Sequence, residues 1–253
     1  MATYLNLRNL FWILFYLSIS ISWIALFTQI SANNLIDLPR ALWQGLCLSA
    51  QEVDYLSLWK MWLLMAAAMM LPSFVPALRC FLDLSHANAS TPRDAVAMVM
   101  GYGAIWALAA AMGAGLQQIL AQKALLSPLG ASLSTLLTSV LFGVAGAYQF
   151  SHLKAACLAK CRMPLTFFLQ RWTKGPTRAF KMGTELGVIC FGCCWALMLL
   201  AFVGGTMNLL WMGAATLFMS LEKLPQLGKF TTKPMGILLL GASAYTILNQ
   251  LWP

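Results

Sequence analysis

Apolar residues run along this chain in long blocks instead of alternating with polar ones. A membrane-spanning helix needs about 20 mostly apolar residues. Seven stretches meet or approach that length: 10–30, 61–78, 95–120, 131–153, 183–203, 206–221 and 235–252. The first follows Arg8, contains no charge and carries Trp12 and Trp23 toward its ends. It is longer than a signal-peptide core, only Arg8 precedes it and no small-x-small cleavage site follows, so it is expected to be a retained anchor. The second contains Pro72 and Pro76 and is expected to kink or break there. The fifth and sixth are parted only by Gly204-Gly205-Thr206, which predicts a tight helical hairpin. No internal repeat, long linker or low-complexity tract interrupts the pattern. The expected fold is therefore all-α: a polytopic transmembrane bundle of about seven spanning helices. It forms a single integral membrane domain over 1–253, in which 1–60 supplies the anchor helix and an extracytoplasmic loop.

Composition sharpens this. Hydrophobic residues make up 60% of the chain and charged residues 9%, against about 25% charged in an ordinary soluble domain. A soluble enzyme is excluded, and so is a disordered chain, which would lack apolar residues. The net charge of +9 would suggest nucleic acid as a partner in a soluble protein. In a membrane protein it reports topology instead, because cytoplasmic loops retain Lys and Arg. With a cytoplasmic N-terminus and seven crossings, the inner segments hold Arg8, Arg79, Arg93, Lys154, Lys160, Arg162, Arg171, Lys174, Arg178, Lys181, Lys223, Lys229 and Lys233, leaving only Arg40, Lys60 and Lys123 outside. The expected location is the cell inner membrane, with the lipid bilayer as the first partner. The segment 154–182 adds Phe167, Phe168, Trp172 and Phe180 to its cations, a pattern that lies along an anionic leaflet. The loop 31–59 carries Asp37, Glu52 and Asp54 and is expected to be solvated outside the membrane.

Ionisable groups within a bilayer are costly and are functional candidates by default, but few are present here. Glu185, Glu222, His152 and Lys154 lie only near the ends of the apolar stretches, and two histidines, His86 and His152, are too few for an imidazole-rich centre. Sulfur is the unusual feature. Cys157, Cys161, Cys190, Cys193 and Cys194 fall close together. Cys157 and Cys161 are spaced i, i+4 and share one face of a helix, as do Cys190 and Cys194. Met65 and Met69 repeat the spacing, and Met70, Met198 and Met207 add thioethers. Thiolates and thioethers are soft ligands that favour Cu(I), with zinc and iron–sulfur as competitors, although Cys and Met are also ordinary apolar fillers of helical bundles. Cys190-Phe-Gly-Cys193 matches C-x-x-C, but redox exchange needs cations or a helix N-terminus nearby, and this motif sits inside an apolar stretch.

Three groups of residues carry a resemblance. The first is Met61-Trp62, Ala66-Ala67-Ala68-Met69-Met70-Leu71-Pro72-Ser73 and Pro76. The second is Gly146-Ala147-Tyr148-Gln149, Lys154, Cys157-Leu158, Cys161-Arg162 and Pro164. The third is Gly192-Cys193-Cys194-Trp195-Ala196-Leu197-Met198, Gly204-Gly205, Met207-Asn208, Trp211 and Glu222-Lys223. Together they resemble the bacterial and archaeal family of predicted metal-binding integral membrane proteins, over residues 61–225. The resemblance implies a metal without fixing the ion. The motif positions it carries over are Met65, Met69, Met70, Gln149, Cys157, Cys161, Cys193, Cys194, Met207 and Glu222, to which spacing adds Cys190 and His152.

The expected function is a non-enzymatic metal handler, binding Cu(I) for the supply or assembly of a copper enzyme at the inner membrane. Cys157 and Cys161 would form the cytoplasmic port, and Cys193 and Cys194 with Met69 or Met207 the membrane site. The rival expectation is an accessory subunit of a larger membrane complex, its sulfur used for packing. Ala66-Ala67-Ala68, Gly101-x-Gly103, Gly113-x-Gly115 and Gly143-x-x-Gly146 would then let helices approach a partner closely. A transporter of a small neutral solute fits less well, since no coordinating polar group stands out in any apolar stretch.

Overall fold

The computed structural model describes residues 2–31, 54–87, 92–127, 129–172, 175–206 and 208–251. Their helices are α1 (Ala2–Ser31), α2 (Tyr55–Ala87), α3 (Pro92–Gln122), α4 (Thr135–Gln149), α5 (His152–Arg162), α6 (Pro164–Arg171), α7 (Pro176–Met198), α8 (Ala201–Gly204), α9 (Leu209–Lys223) and α10 (Gly228–Leu251). Among the described residues the β interaction is limited to an isolated bridge between Leu126 and Ser132. Four helical stretches are long and apolar enough to cross a membrane: Arg8–Thr28, Tyr55–Leu84, Arg93–Gln122 and Pro176–Gly204. Counting the bent pair α4–α5 as one span gives a fifth. Most of the loop expected at 31–59 lies outside the described residues, and α2 takes up its end from Tyr55.

Two local departures from the sequence pattern shape the site. The first is that α2 runs unbroken through Pro72 and Pro76. A proline deprives the carbonyl four residues earlier of its helical partner, which for Pro72 is Ala68. The indole Nε1 of Trp23 on α1 donates to the Ala68 carbonyl at 3.0 Å. The anchor helix thus supplies the missing donor and covers the proline turn. The second is that the apolar stretch 131–153 is two helices, α4 and α5, bent by 63°. Ser151 adopts an extended backbone conformation and its side chain accepts from the Lys154 N–H. A serine in that role begins a new helix, so α5 leaves in a new direction and turns its Lys154–Cys157–Leu158–Cys161 face toward α7.

Helix α7 sits at the centre because its small residues admit neighbours on more than one side. A Cβ on Gly183 would collide with the Met98 carbonyl of α3, and one on Gly101 with the Phe180 carbonyl of α7. On the α5 side, a Cβ on Gly192 would lie 2.9 Å from the Cys157 sulfur. Helices α4 and α10 meet in the same way through Gly143 and Gly146, and Ser243 Oγ donates to the Ser139 carbonyl at 2.8 Å. Gly113 lies against the Trp62 ring. Gly101, Gly113, Gly143 and Gly146 are therefore used within the chain, whereas a Cβ on Gly103 would meet no described atom within 4 Å. Gly183→Leu is expected to lower stability by about 3 kcal/mol, at the upper end for overpacking because backbone has to move. A thermal unfolding curve in detergent matching that of the parent protein would contradict the close α3–α7 contact.

The connection from α7 to α9 is the expected reversal. Gly205 has φ of +92°, a conformation open to glycine at little steric cost, and a Cβ on Gly204 would enter the Trp211 ring. Asn208 caps α9 by accepting from the Trp211 N–H. Helix α9 has 15 residues, about 22 Å at 1.5 Å per residue. Helix α6 begins with Pro164 at its first turn, which also ends α5 directly after Cys161-Arg162. The aromatic residues expected to lie along a leaflet are in part internal. Phe167 and Phe168 are buried, and the Phe168 and Trp172 rings pack on Phe81 of α2 at 5.7 and 5.2 Å.

Candidate metal centre

Cys190, Cys193 and Cys194 lie on one face of α7, where positions i, i+3 and i+4 of a helix are neighbours. All three are buried, and their sulfurs lie within 4.8 Å of one another. The Cys193 and Cys194 thiols donate to the Cys190 carbonyl at 3.0 and 2.9 Å, which fixes their rotamers on the side facing α2, α3 and α5. Those neighbours contribute further sulfur. Cys161 of α5 places its sulfur 4.0 Å from that of Cys193, and Met70 of α2 places its thioether 3.9 Å from Cys194. Five soft donor atoms from three helices therefore form one continuous group. Its cysteines are free thiols, as is Cys157.

The polar surroundings of Cys190 come from other helices. Tyr102 of α3 and Lys223 at the end of α9 each reach the Cys190 sulfur at 3.1 Å. Lys223 also donates to Ser73 Oγ at 2.7 Å. The Tyr102 hydroxyl lies 3.3 Å from the Met70 carbonyl, and its ring stacks on Phe74 at 4.0 Å. Sequence reasoning missed this shell. Only Ser73 and Lys223 carry any sequence signal, as members of the motifs around Pro72 and Glu222. Tyr102 carries none, because its partner is 88 residues away.

Other expected donors lie elsewhere. Met65 and Met69 are buried, but they line a gap of about 10 Å³ together with Met198, Met212, Leu197 and Trp211. Met70, one residue on, is turned to the cysteines. Cys157 is half-buried against Gly192. His152 is exposed at the start of α5, and Met207 lies outside the described residues. Gln149 is buried, and among the described residues neither its side-chain nitrogen nor its oxygen finds a hydrogen-bond partner. Glu222 is not part of the sulfur group. Its two oxygens accept from Lys154 Nζ at 3.1 and 2.8 Å, both side chains being almost completely buried. Arg162 Nε donates to the Glu222 backbone carbonyl at 2.9 Å. Glu222 thus ties α9 to α5, and this attachment carries the adjacent Lys223 to Cys190.

A cavity of about 360 Å³ opens beside the sulfur group, where Ser73, Tyr102, Lys160, Cys161, Cys190 and Lys223 are among the residues that line it. Chemically, the arrangement offers an entrance bearing one half-buried thiol and, behind it, three buried thiols and a thioether, with Tyr102 and Lys223 against Cys190. Such a donor set suits a soft ion exchanged from sulfur to sulfur.

No curated protein and no solved structure matches the chain. The sequence pattern of the PpoB2 family, described as a copper chaperone, matches residues 59–246, well over half of the 253 residues. The match runs from within α2 to within α10 and takes in every cysteine of the sulfur group, and the chain belongs to the PpoB2 copper-chaperone family.

Proposed function

We propose that the protein is a multi-pass inner-membrane carrier that accepts Cu(I) from the cytoplasmic side and holds it among cysteine and methionine sulfurs for delivery to a copper enzyme. The observation that carries this reading is the buried trio Cys190, Cys193 and Cys194 with Cys161 and Met70 in sulfur contact. A donor set made only of sulfur suits Cu(I) better than a hard divalent ion, and burial of the three α7 cysteines keeps the donors away from bulk water. Carriage and not catalysis fits the family's description as a chaperone.

Cys161 is the receiving thiol, with Cys157 one turn before it on the same port. The ion then moves to Cys193 and is held with Cys190, Cys194 and Met70. Transfer proceeds by ligand exchange, the new Cu–S bond forming as the old one breaks. Met65 and Met69 of α2, with Met198 of α7 and Met212 of α9, are the next soft donors, and Met207 follows α8 in sequence. Glu222 supports the site by positioning Lys223. The orientation expected from the distribution of Lys and Arg over seven crossings, more than the four or five candidate spans among the described residues, places Arg8, α5, α6 and the α9–α10 connection in the cytoplasm. The single domain extends over 1–253, with the family-matched core at 59–246, wider than the 61–225 expected from the motifs, and α1 as its anchor.

Cys161→Ser tests the route. It is expected to slow Cu(I) uptake from a chelator by about 10-fold, the lower bound for losing a group that contacts the ion's path, while leaving the final copper content unchanged. Uptake at the parental rate would remove Cys161 from the route, and a parallel loss of content would make it a resident ligand.

A further inference from the structure

The cavity beside the sulfur group is far larger than a metal ion requires. A bound water needs about 10–15 Å³ of such space, whereas small-molecule sites begin near 300 Å³, and this cavity holds about 360 Å³. Its lining is also unbalanced in charge. Lys160, Arg162 and Lys223 all line it, and no acidic side chain does so among the described residues. The one acid adjacent in sequence, Glu222, is turned away to Lys154. Two thiols, Cys161 and Cys190, stand in the same wall. Helix α5 ends at Arg162, so Lys160 and Cys161 sit at the mouth, with Lys160 exposed and Cys161 half-buried.

We propose that this cavity binds the copper donor itself: a small anionic thiol, carrying carboxylates, that brings Cu(I) on its sulfur. The inference rests on the copper reading above and names the form in which the ion arrives. The cations hold the carboxylates and the carrier's sulfur faces Cys161. In the exchange, a Cu–S bond to the protein forms and the Cu–S bond to the carrier breaks. The proton released by the protein thiol passes to the departing carrier thiolate. Copper remains Cu(I), so no oxidant or reductant takes part. A cavity lined by three cations draws in such a ligand by focusing the field at its mouth. An ion presented by a protein docking from outside would need no recess of this size.

The test uses the detergent-purified full chain and two Cu(I) donors that differ in charge, the glutathione complex and the neutral 2-mercaptoethanol complex. Rates of copper transfer are measured for the parent and for Lys160→Glu. The expected result is a fall of roughly 10-fold in the ratio of the glutathione rate to the mercaptoethanol rate, the lower end of electrostatic steering effects. An unchanged ratio overturns the proposal. A second measurement needs no variant. S-methylglutathione keeps the carboxylates but has no free thiol to hold copper. It is expected to compete with the glutathione donor on the parent protein, and a lack of competition overturns the proposal even if Lys160→Glu fails to fold. Failure of the parent to take copper from either donor would instead contradict the copper-carrier reading itself.

Discussion

Cys193→Ser with Cys194→Ser is expected to abolish stable copper binding. The two sulfurs stand between the port and the interior: Cys193 faces Cys161 at 4.0 Å, and Cys194 faces Met70 at 3.9 Å. Serine keeps the size and can keep the hydrogen bond to the Cys190 carbonyl, so α7 retains its packing. The variant does exchange two soft donors for hard hydroxyls that a Cu(I) ion does not favour. Affinity should fall by more than ~100-fold, the upper range reached when groups behind the ligands of a metal site are removed. Competition with a Cu(I)-specific chelator measures this directly. An affinity within a few-fold of the parent's, in a protein with unchanged helicity, would show that these cysteines are packing residues.

Glu222→Ala is expected to have the largest effect on stability. Lys154 and Glu222 form a nearly fully buried ion pair, with side-chain exposures of 1% and 2%. Removing one partner leaves the other charge unpaired in an apolar setting, which costs about 3–5 kcal/mol. Thermal unfolding in detergent should show this loss. The double variant Lys154→Met with Glu222→Leu should recover most of it, because replacing a buried pair by apolar residues of similar size is often neutral. Single and double variants that unfold alike would show that the pair is not what joins α5 to α9. Copper retention in the double variant separates support from ligation. Retention is expected, since no sulfur is lost and Arg162 still holds the Glu222 backbone carbonyl.

Much of the fold is legible in the hydrophobic pattern, because long apolar blocks permit little besides helices in a bilayer. The exceptions have local causes. By sequence Pro72 should kink or break α2; the helix runs on without a break, and Trp23 from another helix meets the carbonyl that the proline orphans. No signal within 61–78 could reveal that. The stretch 131–153 reads as one continuous apolar run, and its division depends on Ser151 capping the Lys154 N–H. A lone serine near a span end is too common to announce a 63° bend.

The site is legible where it is helical and local. The spacing of Cys190, Cys193 and Cys194 is enough to put three sulfurs on one face of a helix. What the spacing leaves open is the phase of one helix against another. Met65, Met69 and Met70 are all methionines on α2, and only the α2–α7 packing decides that Met70 meets Cys194 while the other two line a separate gap. Contacts between distant parts of the chain are equally hidden. Lys223 reaches Cys190, and Glu222, expected among the metal ligands, is instead the partner of Lys154.

The central claim is that this chain holds Cu(I) through sulfur alone, and X-ray absorption at the copper edge of the copper-loaded, detergent-purified protein tests it most directly. The predicted result is a Cu(I) edge with two or three sulfur neighbours and no nitrogen or oxygen bound to the metal, the pattern of a thiol and thioether site. A Cu(II) edge, or copper bound to nitrogen and oxygen, would contradict the account and move the copper away from the α7 cysteines.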